Sequence, residues 1–298
     1  MTYTISNGIL TASFSDLGGE LRSLQRDGVE YMHDGNPKYW KGIGPIMFPI
    51  CGRLFGSKYT YGGKEYEMIL HGFIRQQQMT VESAADSEIT FRYDSCDVSR
   101  AQYPFEFTFK VTYTLRENTL VTAFTVENRT DGVMPVAVGG HPGFRVPIEG
   151  KGEFTDCYIE FSEPCPARRL RFSPARRLRF SPSYLRLGND PLYGKEDLKT
   201  IELHHELFDD DAIFLYDTAK SIAIRSRVSD RAVRVDFDGF KYVGLWHAPK
   251  TDANYVCIEP WTGSPGYEGK VDDFATKEDM TQLEAGGVFS SAYSITIE

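Results

Sequence analysis

Three short segments of this sequence set an ionisable side chain among glycine and proline: Leu70-His71-Gly72-Phe73-Ile74-Arg75, Gly139-Gly140-His141-Pro142-Gly143-Phe144 and Cys257-Ile258-Glu259-Pro260-Trp261-Thr262-Gly263. The second follows the apolar run Met134–Val138, and the third grows out of the run Tyr255–Ile258. Each therefore puts a titratable group where a strand gives way to a turn, held by a rigid element yet able to reach a cleft. A carboxylate and an imidazole together supply a base and an acid near neutral pH, the pair that proton shuffling on a sugar requires. Taken singly, each segment has a plainer reading. A histidine among glycines is commonly a hydrogen-bonded structural residue, and a glutamate before proline is commonly an exposed strand end.

The elements that must carry these groups are strands. Apolar residues alternate at Phe105, Phe107, Phe109, Val111, Tyr113 and Leu115, and again at Leu120, Thr122, Phe124 and Val126 after a turn at Glu117-Asn118. Two adjacent runs of period two predict a hairpin with one buried face. Asp27-Gly28 and Gly62-Gly63 mark tight turns between further short strands, because glycine tolerates the positive φ that such turns demand. Other predicted strands are Met79–Ser83, Ile89–Tyr93, Tyr158–Phe161, Ile213–Tyr216, Ser221–Ser226, Ala232–Phe237, Tyr255–Ile258 and Ser291–Ile297. Helical spacing is scarce, with one short helix predicted in Lys195–Phe208 and a turn or two of helix in Glu278–Leu283. Many short strands punctuated by Gly, Pro and Asp predict an all-β sandwich or barrel, read as one domain over residues 1–298.

Composition narrows the partners. The net charge of −9 argues against a general nucleic-acid or anionic-membrane partner, since both select a basic face. The N-terminus MTYTISNGIL has neither the basic start nor the apolar run of a secretory signal. Uncharged stretches such as Gly132–Phe144 fall short of the ~20 residues a membrane helix needs. Five scattered cysteines with no CxxC pair read as free thiols of a reducing compartment, so a cytoplasmic location is expected.

The octapeptide PARRLRFS occurs twice in tandem, at Pro166–Ser173 and Pro174–Ser181. Its six arginines could bind a polyanion, but the Arg-Leu-Arg-Phe alternation favours a surface strand with arginines facing water. One copy is expected to pair in a sheet and the other to loop out. His204-His205-Glu206 lacks the spacing of a zinc motif and reads as a solvated turn.

In order and framing, the three segments resemble the signature segments of the aldose 1-epimerase (galactose mutarotase) family. The likeness extends over nearly the whole chain, from the opening Ser6-Asn7-Gly8 and Leu17-Gly18-Gly19-Glu20-Leu21 onward. It implies a large β-sandwich, the galactose mutarotase-like supersandwich, with few short helices. It also implies an isomerase of carbohydrate metabolism that interconverts the α and β anomers of a free hexose or hexose phosphate. By resemblance, Glu259 is the base that takes the C1 hydroxyl proton, and His141, as imidazolium, is the acid that protonates the ring oxygen. His71, Arg53 and Asp211 would hold ring hydroxyls, with Trp246 or Phe144 stacked on the sugar face. Arg75, after His71-Gly72, resembles the bacterial branch that includes hexose-6-phosphate epimerase-like proteins, and beside Arg53 it would suit a phosphate. The resemblance implies no metal and no organic cofactor, and a monomer or homodimer. The arginine duplication departs from the family pattern, as does Met79, where relatives often carry an aromatic residue.

Two other readings of the same residues stay open. One is a non-catalytic carbohydrate-binding protein on this scaffold. The other is a glycoside hydrolase using Glu259 and Asp211 as its carboxylate pair.

Overall fold

The computed structural model describes residues 1–170, 185–186, 193–194 and 196–298. Its largest sheet is antiparallel and has nine strands. They run in the order Leu198–Glu202, Cys157–Cys165, Ser221–Ser226, Val233–Asp236, Val288–Ile297, Thr119–Asn128, Phe107–Arg116, Glu88–Asp94 and Thr80–Ala85. The predicted hairpin forms in full register from Phe107 opposite Asn128 to Arg116 opposite Thr119. The cause is the alternation itself, since Phe107, Phe109, Val111, Leu120, Phe124 and Val126 are all fully buried. Burying a side chain of this size stabilises by about 1.5–3 kcal/mol, and a one-residue slip would turn the whole set to water.

Against this face lies a second sheet in the order Arg168–Arg169, Ile213–Tyr216, Tyr242–Trp246, Tyr255–Trp261, Gly139–Gly140 and Ile46–Met47, with Gly143–Arg145 also pairing with Tyr255–Trp261. Phe48, beside it, meets Phe109 at 4.7 Å and Phe107 at 5.1 Å between ring centroids, so the two sheets share one core. The chain thus forms the large β-sandwich that its resemblance implied. A four-stranded meander, Thr2–Ser6, Leu10–Ser15, Leu21–Arg26 and Val29–Glu30, adds to the same core through Leu10, Phe14, Leu21 and Leu24.

Both predicted helices are corrected. Leu198–Glu202 is an edge strand beside Cys157–Cys165, followed by a 3-10 turn at His205–Phe208, while Lys195 lies outside the described residues. Leu198 and Ile201 have helical spacing, but the open edge of a sheet satisfies more backbone than an isolated short helix could. Thr281–Leu283 likewise pairs with Met134–Val136. The α-helix that does form, Asp97–Gln102, starts from Cys96, which gives no usual N-cap signal. No helix among the described residues is long and apolar enough to cross a membrane. Arg168–Arg169 of the first PARRLRFS copy pairs with Leu215 and Tyr216, whereas the second copy lies outside the described residues. All five cysteines are free, and Cys96 alone of the five is exposed. In the His204-His205-Glu206 turn, His204 and Glu206 are exposed, but His205 is half-buried, stacking on Phe154 at 4.2 Å and contacting the buried His247.

Candidate active site

The strand Tyr255–Trp261 is buried on both faces. Successive side chains point to opposite sides of a strand. Val256 and Ile258 therefore enter the core between the sheets, while Tyr255, Cys257, Glu259 and Trp261 form a row on the outer face. Directly opposed residues of antiparallel strands share a face. Trp246 lies opposite Cys257, Gly244 opposite Glu259 and Tyr242 opposite Trp261, so the neighbouring strand extends that row. A Cβ at Gly244 would stand 3.2 Å from the Glu259 Cβ and 2.6 Å from the Phe214 ring, so glycine makes room for both.

On the other side, Gly139 pairs with Trp261 and Gly143 with Cys257. Halfway between these pairings stands His141, which the register places over Glu259. The contact follows: His141 Nε2 lies 3.3 Å from Glu259 Oε2. Both groups are buried, at the floor of an open cavity of about 270 Å³, a volume that suits one small ring better than an oligomer.

His71 and Asp211 reach the cavity from turns, both at positive φ (63° and 79°), a conformation that non-glycine residues hold only when their surroundings enforce it. The His71 backbone N–H donates to the Gly52 carbonyl at 2.8 Å, and its Nδ1 accepts from the Gly52 N–H at 3.1 Å. That second bond leaves Nε2 to carry the ring proton as a donor. Gly72 is required by space as well as by φ (70°), because a Cβ there would lie 2.1 Å from the Phe48 carbonyl oxygen. Gly72→Ala is expected to cost roughly 3 kcal/mol or more, read as a lower urea midpoint. A loss under 1 kcal/mol would show that the turn can relax.

The remaining wall is aromatic and cationic. Trp246 Nε1 donates to Asp211 Oδ1 at 2.8 Å. Trp40 packs on the His141 ring at 4.7 Å, and Trp246 meets the same ring edge-on at 5.7 Å. Arg53 and Arg75 both line the cavity. Arg75 Nη2 donates to the Leu70 carbonyl at 3.1 Å, while its buried Nε has no hydrogen-bond partner among the described residues. Burial and then the neighbouring Arg53 hold the Arg75 guanidinium below its usual pKa.

Electrostatics departs from expectation at the central pair. Burial, reinforced by the Asp211 carboxylate, pushes Glu259 well above the usual carboxylate range. Burial pulls His141 down to about 3. Burial thus works on both groups against the carboxylate and imidazolium that their mutual attraction favours. Burial also raises Asp211 to about 6 and, reinforced by repulsion from the neighbouring His141, Arg75 and Arg53 when His71 takes up a proton, depresses His71 well below 6.5.

Of the sequence-predicted site residues, Glu259, His141, His71, Arg53, Arg75, Asp211 and Trp246 all line this cavity. Phe144 does not. It lies opposite Val256, on the core face of the strand, and is fully buried there. Trp40 and Trp261 take the aromatic positions instead. The period-two spacing from Glu259 is the signal that could have found Trp261. Trp40 sits in the connection before Ile46–Met47 and carries no local signal.

Fold and site together define a β-sandwich with a buried histidine–glutamate pair in an open cavity of about 270 Å³. The aldose 1-epimerase family model matches residues 1–272, and the chain belongs to that family. The plasmid-borne Protein LacX of Lactococcus lactis subsp. lactis is 31% identical over 305 residues, covering 100% of this chain and 99% of LacX. A galactose mutarotase related enzyme from Lactobacillus acidophilus superposes with a TM-score of 0.92 at 33% identity, covering 100% of this chain and 97% of the other. A galactose mutarotase-like protein from Lactobacillus casei superposes at 0.91 and 28% identity, with complete coverage of both chains.

Proposed function

We propose that the chain is an aldose 1-epimerase that interconverts the α and β anomers of a hexose or hexose phosphate. The observation that carries this reading is the 3.3 Å contact between His141 and Glu259 at the cavity floor. Ring opening removes the proton of the C1 hydroxyl and adds one to the ring oxygen; rotation about C1–C2 and reclosure deliver the other anomer. A pair holding one proton suits both movements, because one member donates while the other accepts. The family resemblance assigns acceptance to Glu259 and donation to His141. This route needs the proton of the pair on His141, against the direction in which burial pushes both groups. His71 donates from Nε2 and Asp211 accepts, so the two flanking turns hold ring hydroxyls of opposite polarity. Trp40, Trp246 and Trp261 offer apolar faces to the ring.

Two guanidinium groups on one wall favour a substrate with an anionic substituent. Arg75→Gln is expected to lower kcat/KM for glucose 6-phosphate by about 10–100-fold, the worth of a charge-assisted hydrogen bond, and to change that for glucose little. Equal losses on both sugars would make Arg75 a structural residue.

The decisive measurement is anomer exchange by NMR on equilibrated glucose, galactose and glucose 6-phosphate. Exchange faster than in buffer supports the proposal, and the ranking of sugars identifies the substrate class. No acceleration on any of them would overturn it and favour a non-catalytic sugar-binding protein. Chromophore release from nitrophenyl glycosides would favour the hydrolase.

A further inference from the structure

We infer that His141, Cys257 and Glu259 form a latent site for a thiophilic divalent cation of the Zn²⁺ type, and that its occupation silences the enzyme. The inhibitory half of this statement rests on the proposed epimerase activity; the binding half does not. Cys257 and Glu259 are neighbours in the outer row of the strand Tyr255–Trp261, and His141 is brought over them by the pairings of Gly139 and Gly143. Register makes the three converge: one ligand atom from each, a nitrogen, a sulfur and an oxygen, lie within 4.8 Å of one another, and all three residues are buried.

The geometry is close to that of a bound ion. With metal–ligand bonds of about 2.0 Å to N and O, a tetrahedral ion spans an N···O edge of about 3.3 Å. His141 Nε2 and Glu259 Oε2 are already 3.3 Å apart. With a metal–sulfur bond of about 2.3 Å, the edges to sulfur are about 3.5 Å, so the thiol has to close by little more than about 1 Å. Of the three, His141 and Glu259 line the open cavity, from which water can supply the fourth ligand, as in zinc sites with three protein ligands.

The donor set selects the cation. Imidazole, thiolate and carboxylate suit Zn²⁺ and its thiophilic relative Cd²⁺, whereas Mg²⁺ and Ca²⁺ prefer oxygen alone. Charge balance favours the same ions. The thiol loses one proton and the His141–Glu259 pair loses its shared one, leaving two anions and a neutral imidazole around a 2+ ion. The burial that penalises each anion alone does not penalise this neutral cluster. Arg75, on the same wall, opposes any cation. The ion is therefore an inhibitor that competes with the shared proton, not a resident cofactor.

The test uses full-length protein carrying Cys96→Ser, which removes the exposed thiol. Cd²⁺ titration is expected to give one equivalent of thiolate-to-metal charge-transfer absorption in the ultraviolet. That band should vanish when Cys257→Ser is added, and Glu259→Gln should weaken Cd²⁺ binding at least about tenfold. Zn²⁺ should inhibit anomer exchange reversibly to EDTA, with at least about tenfold lower potency after Cys257→Ser. No band, a band that survives Cys257→Ser, or binding indifferent to Glu259→Gln would each overturn the inference. If Cys257→Ser fails to fold, the Glu259→Gln titration still decides. A protein that binds Cd²⁺ as expected yet exchanges no anomers would refute the proposed activity and leave the site standing.

Discussion

Glu259→Gln is expected to slow anomer exchange by about 10²–10⁴-fold, the usual worth of one positioned proton acceptor, without loss of stability. The amide has the size of the carboxyl and can keep a hydrogen bond to His141, so the row on Tyr255–Trp261 stays packed. What it cannot do is bind and release the proton that the pair shares. The wild-type carboxyl is buried and held well above its usual pKa, so the native state gains nothing from ionising it. The urea midpoint of the variant should accordingly equal or exceed that of the wild type while kcat collapses. A variant that kept activity within threefold would show that another group accepts the proton. A variant that lost stability in step with activity would make Glu259 a structural residue.

The second large effect is a pH limb belonging to Asp211. Burial displaces the two members of the His141–Glu259 pair in opposite directions, His141 down to about 3 and Glu259 upward. The group that titrates between them is Asp211, at about 6. Its carboxylate accepts from Trp246 and lines the cavity, where the proposed function gives it a sugar hydroxyl to hold. kcat/KM is expected to fall as pH drops through about 6, and Asp211→Asn should remove that limb while lowering the plateau. Stability moves the other way. The folded pKa of Asp211 lies above its ordinary value of 3.8, so the carboxylate costs stability above about pH 6 and costs none below about 3.8. A shift of about two units corresponds to roughly 3 kcal/mol. Asn tolerates the positive φ of this position and can still accept from Trp246. Asp211→Asn should therefore raise the urea midpoint at pH 8 and leave it unchanged near pH 3.5. A variant equally stable at both pH values would show that Asp211 titrates as an exposed carboxylate does.

How far these features could be read in advance depended on where their determinants lie. The strands Ile213–Tyr216 and Ser221–Ser226 appear with the predicted bounds as short apolar runs, and the hairpin at Glu117-Asn118 lies where predicted because one face of it is buried and period two follows from that. The supposed helix in Lys195–Phe208 failed because the partner that claims Leu198–Glu202 lies some forty residues earlier. No local pattern records such an edge. At the site, the glycine- and proline-framed segments were legible since a turn that carries a titratable group needs unusual backbone, as His71-Gly72 shows. Phe144 was assigned to the wrong face because its parity is set across the strand pair, through Val256, and not along its own segment. Trp40 reaches His141 only through tertiary packing.

The two kinds of backbone that build this cavity divide what evolution can change. Glu259 rides on Tyr255–Trp261, whose reverse face is core, and His141 is held over it by the pairings of Gly139 and Gly143, so moving either one disturbs Val256, Ile258 and everything packed on them. Arg75, Asp211 and Trp40 stand on connections, where a substitution or an inserted residue disturbs mainly itself. A lineage with this architecture can alter what its cavity accepts by rewriting its turns while the His141–Glu259 pair stays in place. Specificity is in that sense modular here, and an engineer seeking a new substrate should leave the two strands alone and diversify the three connections.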